Sequence, residues 1–213
     1  MTDCNRKTSK WHGKTWATLG DSITNANGYQ PIVQEALGFS QVFNYGRGGC
    51  CMTAGGERDE GSTCRVGTGL LEKYDLITIF AGTNDFRLDK PLGAIGQIGV
   101  RHDAYTFIGA YQVLIEHLLT TSPSCRLCLW TPLQRDKDGF DIYSLNAAGC
   151  RLEDYVHAIK QLGQIYALPV LDLYAVSGIN KLTLDIFTSD RLHPNEAGYA
   201  RIAGIMASFL EAL

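Results

Sequence analysis

Ser22 stands in the block Gly20-Asp21-Ser22-Ile23-Thr24, and His193 stands three residues after Asp190 in Asp190-Arg191-Leu192-His193-Pro194. A serine hydroxyl is a weak nucleophile and needs a neighbouring base. An imidazole can take its proton and later return it to a leaving group. A carboxylate on the other ring N–H fixes the tautomer and stabilises the imidazolium. The spacing from Asp190 to His193 is short enough for the two side chains to meet within one turn. Two further blocks could stabilise developing negative charge. Asn44-Tyr45-Gly46-Arg47-Gly48-Gly49 offers glycines, which let a backbone N–H approach a ligand closely. Gly82-Thr83-Asn84-Asp85 offers a side-chain amide that stays a neutral donor at every relevant pH. Each block alone also has a plain reading: Ser22 as a helix N-cap, Asn84-Asp85 as a turn, and Asp190 with His193 as a surface pair.

The elements around these blocks argue against coincidence. Five apolar runs read as strands buried on both faces: Thr15–Leu19, Gln41–Tyr45, Leu76–Ala81, Leu127–Thr131 and Pro169–Leu173. Between them lie helix-period segments over Pro31–Leu37, Tyr105–Thr120, Leu152–Tyr166 and Glu196–Leu213, the last opened by Pro194. Alternating strands and helices predict an α/β fold, a doubly wound, flavodoxin-like five-stranded parallel sheet with helices on both faces. Ligands in such sheets bind beyond the carboxyl ends of the strands. Three blocks follow strands and the fourth precedes the last helix, so all four are placed to meet. Residues 46–68, 84–103 and 133–150 read as irregular, and the Gly93–Gly99 stretch as a mobile rim of the cleft. Thirteen of the 23 glycines fall between Gly38 and Gly99, the window that holds the second and third blocks. The chain reads as one domain over residues 1–213, with 1–14 as a solvated basic arm.

Taken in this order, the four blocks resemble those of the SGNH (GDSL-type) hydrolase family across nearly the whole chain. The resemblance implies a three-layer α/β/α fold and ester hydrolysis. It implies Ser22 as nucleophile and Asp190 and His193 as the rest of a catalytic triad. It implies an oxyanion hole built from the N–H of Ser22, the N–H of Gly49 and the amide of Asn84. Aligning on Asn44 selects Gly49, and the double glycine leaves Gly48 open. The expected activity is a serine esterase or acylhydrolase for short acyl groups, since no long apolar lid is evident. The alternatives are a carbohydrate O-acetyl esterase with the same triad and a non-catalytic carbohydrate-binding module.

Other readings find less support. Thr24 breaks GxSxG, and no phosphate loop or HExxH spacing occurs. No cofactor and no metal is therefore expected. Cys125 and Cys128 form a lone CxxC that leads into a strand, unlike the helix-start site of a redox pair. Cys50 and Cys51 lie beside the glycine block and read as small buried thiols rather than nucleophiles. The net charge of −3 gives no basic field for nucleic acid. The expected partner is a small-molecule or carbohydrate ester. No run reaches the ~18 apolar residues of a membrane helix, and no secretory leader is visible. With seven cysteines, an odd number, a cytoplasmic location is expected.

Overall fold

Alternation of side chains along each strand sorts the core into two halves. A computed structural model describes residues 8–55 and 59–213. Its strands are β1 (Thr15–Gly20), β2 (Gln41–Asn44), β3 (Leu76–Phe80), β4 (Arg126–Trp130) and β5 (Val170–Leu171). They form one all-parallel sheet in the order β2-β1-β3-β4-β5. This is the doubly wound flavodoxin-like order, with its switch point between β1 and β3. Helices α1 (Ser22–Asn25), α2 (Gln30–Leu37), α3 (Thr63–Thr68), α4 (Thr83–Arg87), α5 (Phe107–Thr121), α6 (Leu152–Ile165), α7 (Leu173–Val176), α8 (Leu184–Phe187) and α9 (Glu196–Ala212), with a 3-10 turn over Asp59–Gly61, complete the described elements.

One sheet face packs Ala17, Leu19, Ile77, Ile79, Leu127 and Leu129 against α3, α5 and α6. The other packs Trp16, Leu76, Phe80, Cys128 and Trp130 against α2 and α9. Period-two alternation thus splits each strand between two apolar layers, which is why the runs read as continuously hydrophobic. Trp16 and Trp130 meet edge-on at 6.1 Å. The Trp16 Nε1–H donates to Thr78 Oγ1 at 3.0 Å, so the buried indole keeps a partner.

The structure corrects several boundaries. β5 is two residues long, because Asp172 caps α7 and draws Leu173 into that helix. Helices α1 and α4 start immediately after β1 and β3, and they are too short to leave a periodic pattern. Within the expected arm, Lys10, His12, Gly13 and Lys14 are exposed and one residue is anchored. Trp11 is buried against Phe39, and its Nε1–H donates to the Leu210 carbonyl at 2.7 Å. The remainder of the expected arm, residues 1–7, lies outside the described residues. The Gly93–Gly99 stretch is not a loose rim. Gln112 bonds Gly96 through both its oxygen and its nitrogen, at 2.9 and 3.0 Å. Glu116 accepts from the Gly99 N–H at 3.2 Å and contacts His102 Nε2 at 2.8 Å, strapping the segment to α5.

Candidate active site

Asp21 begins the site by ending β1. Its carboxylate accepts the Ile23 N–H at 2.9 Å and caps α1. Ser22 is therefore the first residue of a helix, where the N–H has no carbonyl one turn back. Gly20 is needed at this corner, because a Cβ there would lie 2.4 Å from the Phe80 carbonyl oxygen. Burial pushes the Asp21 carboxyl up to about 7, against the lowering effect of the Ile23 N–H.

The second block is clamped onto α1. Asn44 Nδ2 donates to the Thr24 carbonyl at 2.8 Å, and its Oδ1 accepts the Gly46 N–H at 2.9 Å. The Arg47 N–H donates to the Gly20 carbonyl at 3.0 Å. Gly49 follows, half-buried, with φ +73° in the left-handed region that suits glycine.

The third block supplies Asn84, buried at the start of α4. Its Nδ2 donates to the Cys50 carbonyl at 3.0 Å, which uses one of its two N–H groups and leaves the other. Asp85 beside it is fully buried and accepts the N–H groups of Met52 and Thr53 at 2.7 and 3.0 Å. Burial raises the Asp85 carboxyl, and those two N–H groups oppose the rise.

The fourth block folds on its own aspartate. Asp190 Oδ1 accepts the N–H of Leu192 and of His193, at 3.2 and 2.8 Å. Its Oδ2 meets His193 Nδ1 at 2.8 Å. The Ser189 N–H closes the loop on the His193 carbonyl at 2.9 Å, and Arg191 takes φ +63° at its apex. His193 Nε2 then lies 2.8 Å from Ser22 Oγ. Burial alone would raise the Asp190 carboxyl. The Lys137 ammonium, the His193 N–H and the imidazole together hold it below the ordinary carboxylate range. An ionised Asp190 only accepts, so Nδ1 carries a proton, and in the neutral ring Nε2 is the acceptor that faces the hydroxyl.

A serine hydroxyl, an imidazole and a carboxylate are thus in hydrogen-bond contact one after the other. The GDSL-like lipase/acylhydrolase family model matches residues 18–201, from the end of β1 into α9. The chain belongs to that family. No curated protein matches it significantly. Solved structures share the fold of this GDSL-like hydrolase. A protein from Lactobacillus plantarum is 31% identical with a TM-score of 0.82, over 94% of this chain and 98% of that one. A possible lipase from Chitinophaga pinensis is 22% identical with a TM-score of 0.78, over 93% and 98%. An acetyl xylan esterase is 24% identical with a TM-score of 0.66, over 91% and 98%.

In this GDSL-like hydrolase Ser22, His193 and Asp190 are joined directly, and Asn84 reaches the glycine loop through Cys50. Sequence reasoning missed three supporting residues. Asn44 is a clamp as well as a landmark. Lys137 contacts Asp190. Arg135 is buried and donates to the Thr83 hydroxyl at 3.1 Å, directly before Asn84. An Asp138-Gly139 turn signal marks where Lys137 would be held. Nothing local in the sequence points to Arg135.

The cysteines stand apart from this line. Cys128 lies within β4, and burial pushes both the Cys125 and Cys128 thiols up to about 12. Burial also raises the Cys51 thiol far above the range of a reactive thiolate. Among the described residues no cluster of three or more His, Cys, Asp or Glu could hold a metal ion, and no helix is long and apolar enough to cross a membrane.

Proposed function

We propose that the chain is a serine esterase that hydrolyses carboxylic esters of short acyl groups through Ser22, His193 and Asp190. The observation that carries this reading is the unbroken contact from Ser22 Oγ through the imidazole to Asp190, 2.8 Å at each step. His193 Nε2 takes the hydroxyl proton as Oγ attacks the acyl carbon. The carbonyl oxygen becomes an oxyanion, and the Ser22 N–H, the Gly49 N–H and the second Asn84 amide N–H donate to it. Collapse expels the alcohol, which leaves with the proton from His193. Water then repeats the sequence on the acyl-enzyme, with His193 again as base.

The preference for short acyl groups rests on the sequence, which offers no long apolar segment to cover a deep slot. Hydrolysis rates across p-nitrophenyl acyl chain lengths and acetylated oligosaccharides test it, with Ser22→Ala as the control. Acetyl and butyryl esters should be preferred over decanoyl esters. A preference for decanoyl esters contradicts the short-chain assignment, and a preference for acetylated oligosaccharides makes the enzyme a sugar deacetylase.

A further inference from the structure

Asp190 Oδ2 has a second partner besides the imidazole. The ammonium of Lys137, 53 residues earlier, sits on the same oxygen that meets His193 Nδ1. Both ends of this ion pair are about a third exposed, at 30% and 33%.

The backbone that presents Lys137 is built for the purpose. Residues 137–140 form a tight turn, with Lys137 and Phe140 exchanging N–H···O bonds at 3.2 and 3.0 Å. Asp138 and Gly139, at φ 57° and 80°, give it the double left-handed form that Asp-Gly favours. The Lys137 carbonyl also accepts from the buried Arg135 at 3.3 Å. One residue earlier, the Asp136 N–H donates to the Arg191 carbonyl at 3.0 Å, and its carboxylate holds the Arg191 guanidinium at 2.8 Å. The segment after β4 therefore grips the Asp190–His193 loop by main chain, by Arg191 and by Lys137.

We propose that Lys137 is a positioning residue, which fixes the Asp190 carboxylate behind His193 and sets the pH at which the imidazole becomes a base. This rests on the triad reading above. The lysine charge offsets part of the Asp190 charge that the imidazolium would otherwise feel. Removing it leaves Asp190 to stabilise the imidazolium undivided, so the base is freed only at higher pH. It also leaves the carboxylate held on one side only.

Other charges in the neighbourhood are already committed. Arg191 is turned to Asp185 and Asp136, and Lys181 to Asp136 and Asp141. Arg135 is buried behind the loop, where its charge interacts with Arg87, Asp138, Asp21 and Asp190. Among the described residues, the Lys137 ammonium and the His193 imidazole are the titratable side chains in contact with the Asp190 carboxylate.

The test is the pH profile of kcat/KM for p-nitrophenyl acetate in the wild type, Lys137→Met, Lys137→Gln, Lys137→Arg and Ser22→Ala. Both neutral variants should move the midpoint of the rising limb up by about 0.5–1 pH unit. They should lower the plateau kcat about 3- to 10-fold while KM changes less than about 2-fold. Lys137→Arg should restore the midpoint to within about 0.2 unit, because it restores the charge. Neutral variants whose profiles superimpose on the wild type overturn the proposal, and so does an arginine variant that behaves like them. Glutamine answers the question if the methionine variant does not fold. A fully active Ser22→Ala would instead overturn the triad reading, so the two failures are distinguishable.

Discussion

The side-chain amide of Asn84 donates to the carbonyl oxygen of Cys50 at 3.0 Å, joining the start of α4 to the glycine loop after β2. The Asn84 amide is thereby held beside the residue that follows Gly49. Asn84→Ala removes a donor and that tie together. It should lower kcat by about 10²–10³ with little change in KM. Asn84→Asp should do no better, since an ionised carboxylate only accepts. Steady-state kinetics on p-nitrophenyl acetate check this. A loss confined to KM would place Asn84 in ground-state binding instead.

Gly46 packs that loop against the backbone of α1. A Cβ there would lie 2.3 Å from the Asn25 backbone nitrogen and 2.7 Å from the Thr24 carbonyl carbon. Backbone cannot swing aside, so Gly46→Ala must displace α1 or the loop. It should cost about 1–3 kcal/mol of stability and at least 10-fold in kcat/KM, since small misplacements of reacting groups are expensive. A Cβ on Gly48 would meet Asn25 Nδ2 at an ordinary 3.9 Å, so Gly48→Ala should shift the unfolding midpoint far less. Denaturant unfolding and kcat/KM of the two variants decide. Equal behaviour would contradict the close packing.

Burial of Asp21 links stability to pH. Its carboxyl is raised to about 7, so the folded state holds the proton more tightly than the unfolded chain does. The stabilisation from that proton is complete below pH ~4 and is lost as pH rises through about 7. Asp21→Asn keeps an acceptor for the Ile23 N–H and removes the titration. Relative to this variant, the wild type should lose up to about 4 kcal/mol between pH 4 and 8. Unfolding free energies measured across that range check the sign. A difference that grows in the opposite direction contradicts the assignment.

The framework was legible because its signals are local. Trp16–Leu19, Leu76–Phe80 and Leu127–Trp130 are apolar at every position but Thr18 and Thr78, since each strand faces two layers. Long helices such as α5 and α6 leave several turns of pattern. Helices α1 and α4 leave about one turn each, so the elements that aim Ser22 and Asn84 escaped notice. Ser22 and His193 were readable as candidates because four individually weak blocks occur together, in order, at strand ends and a helix start. Their supports were not. Arg135 and Lys137 act on residues about fifty positions away, and only the folded loops bring them to Thr83 and Asp190. Trp11 shows the same limit. Its basic neighbours suggested solvent, and its partner Leu210 lies 199 residues on.

The central claim is that Ser22 is the activated nucleophile. The most direct measurement is reaction of the folded protein with a fluorophosphonate, followed by mass spectrometry of the intact chain and its peptides. One adduct per chain on the peptide holding Ser22, lost in Ser22→Ala together with esterase turnover, is the predicted result. An unlabelled protein that still hydrolyses p-nitrophenyl acetate, or turnover that survives Ser22→Ala, would contradict it.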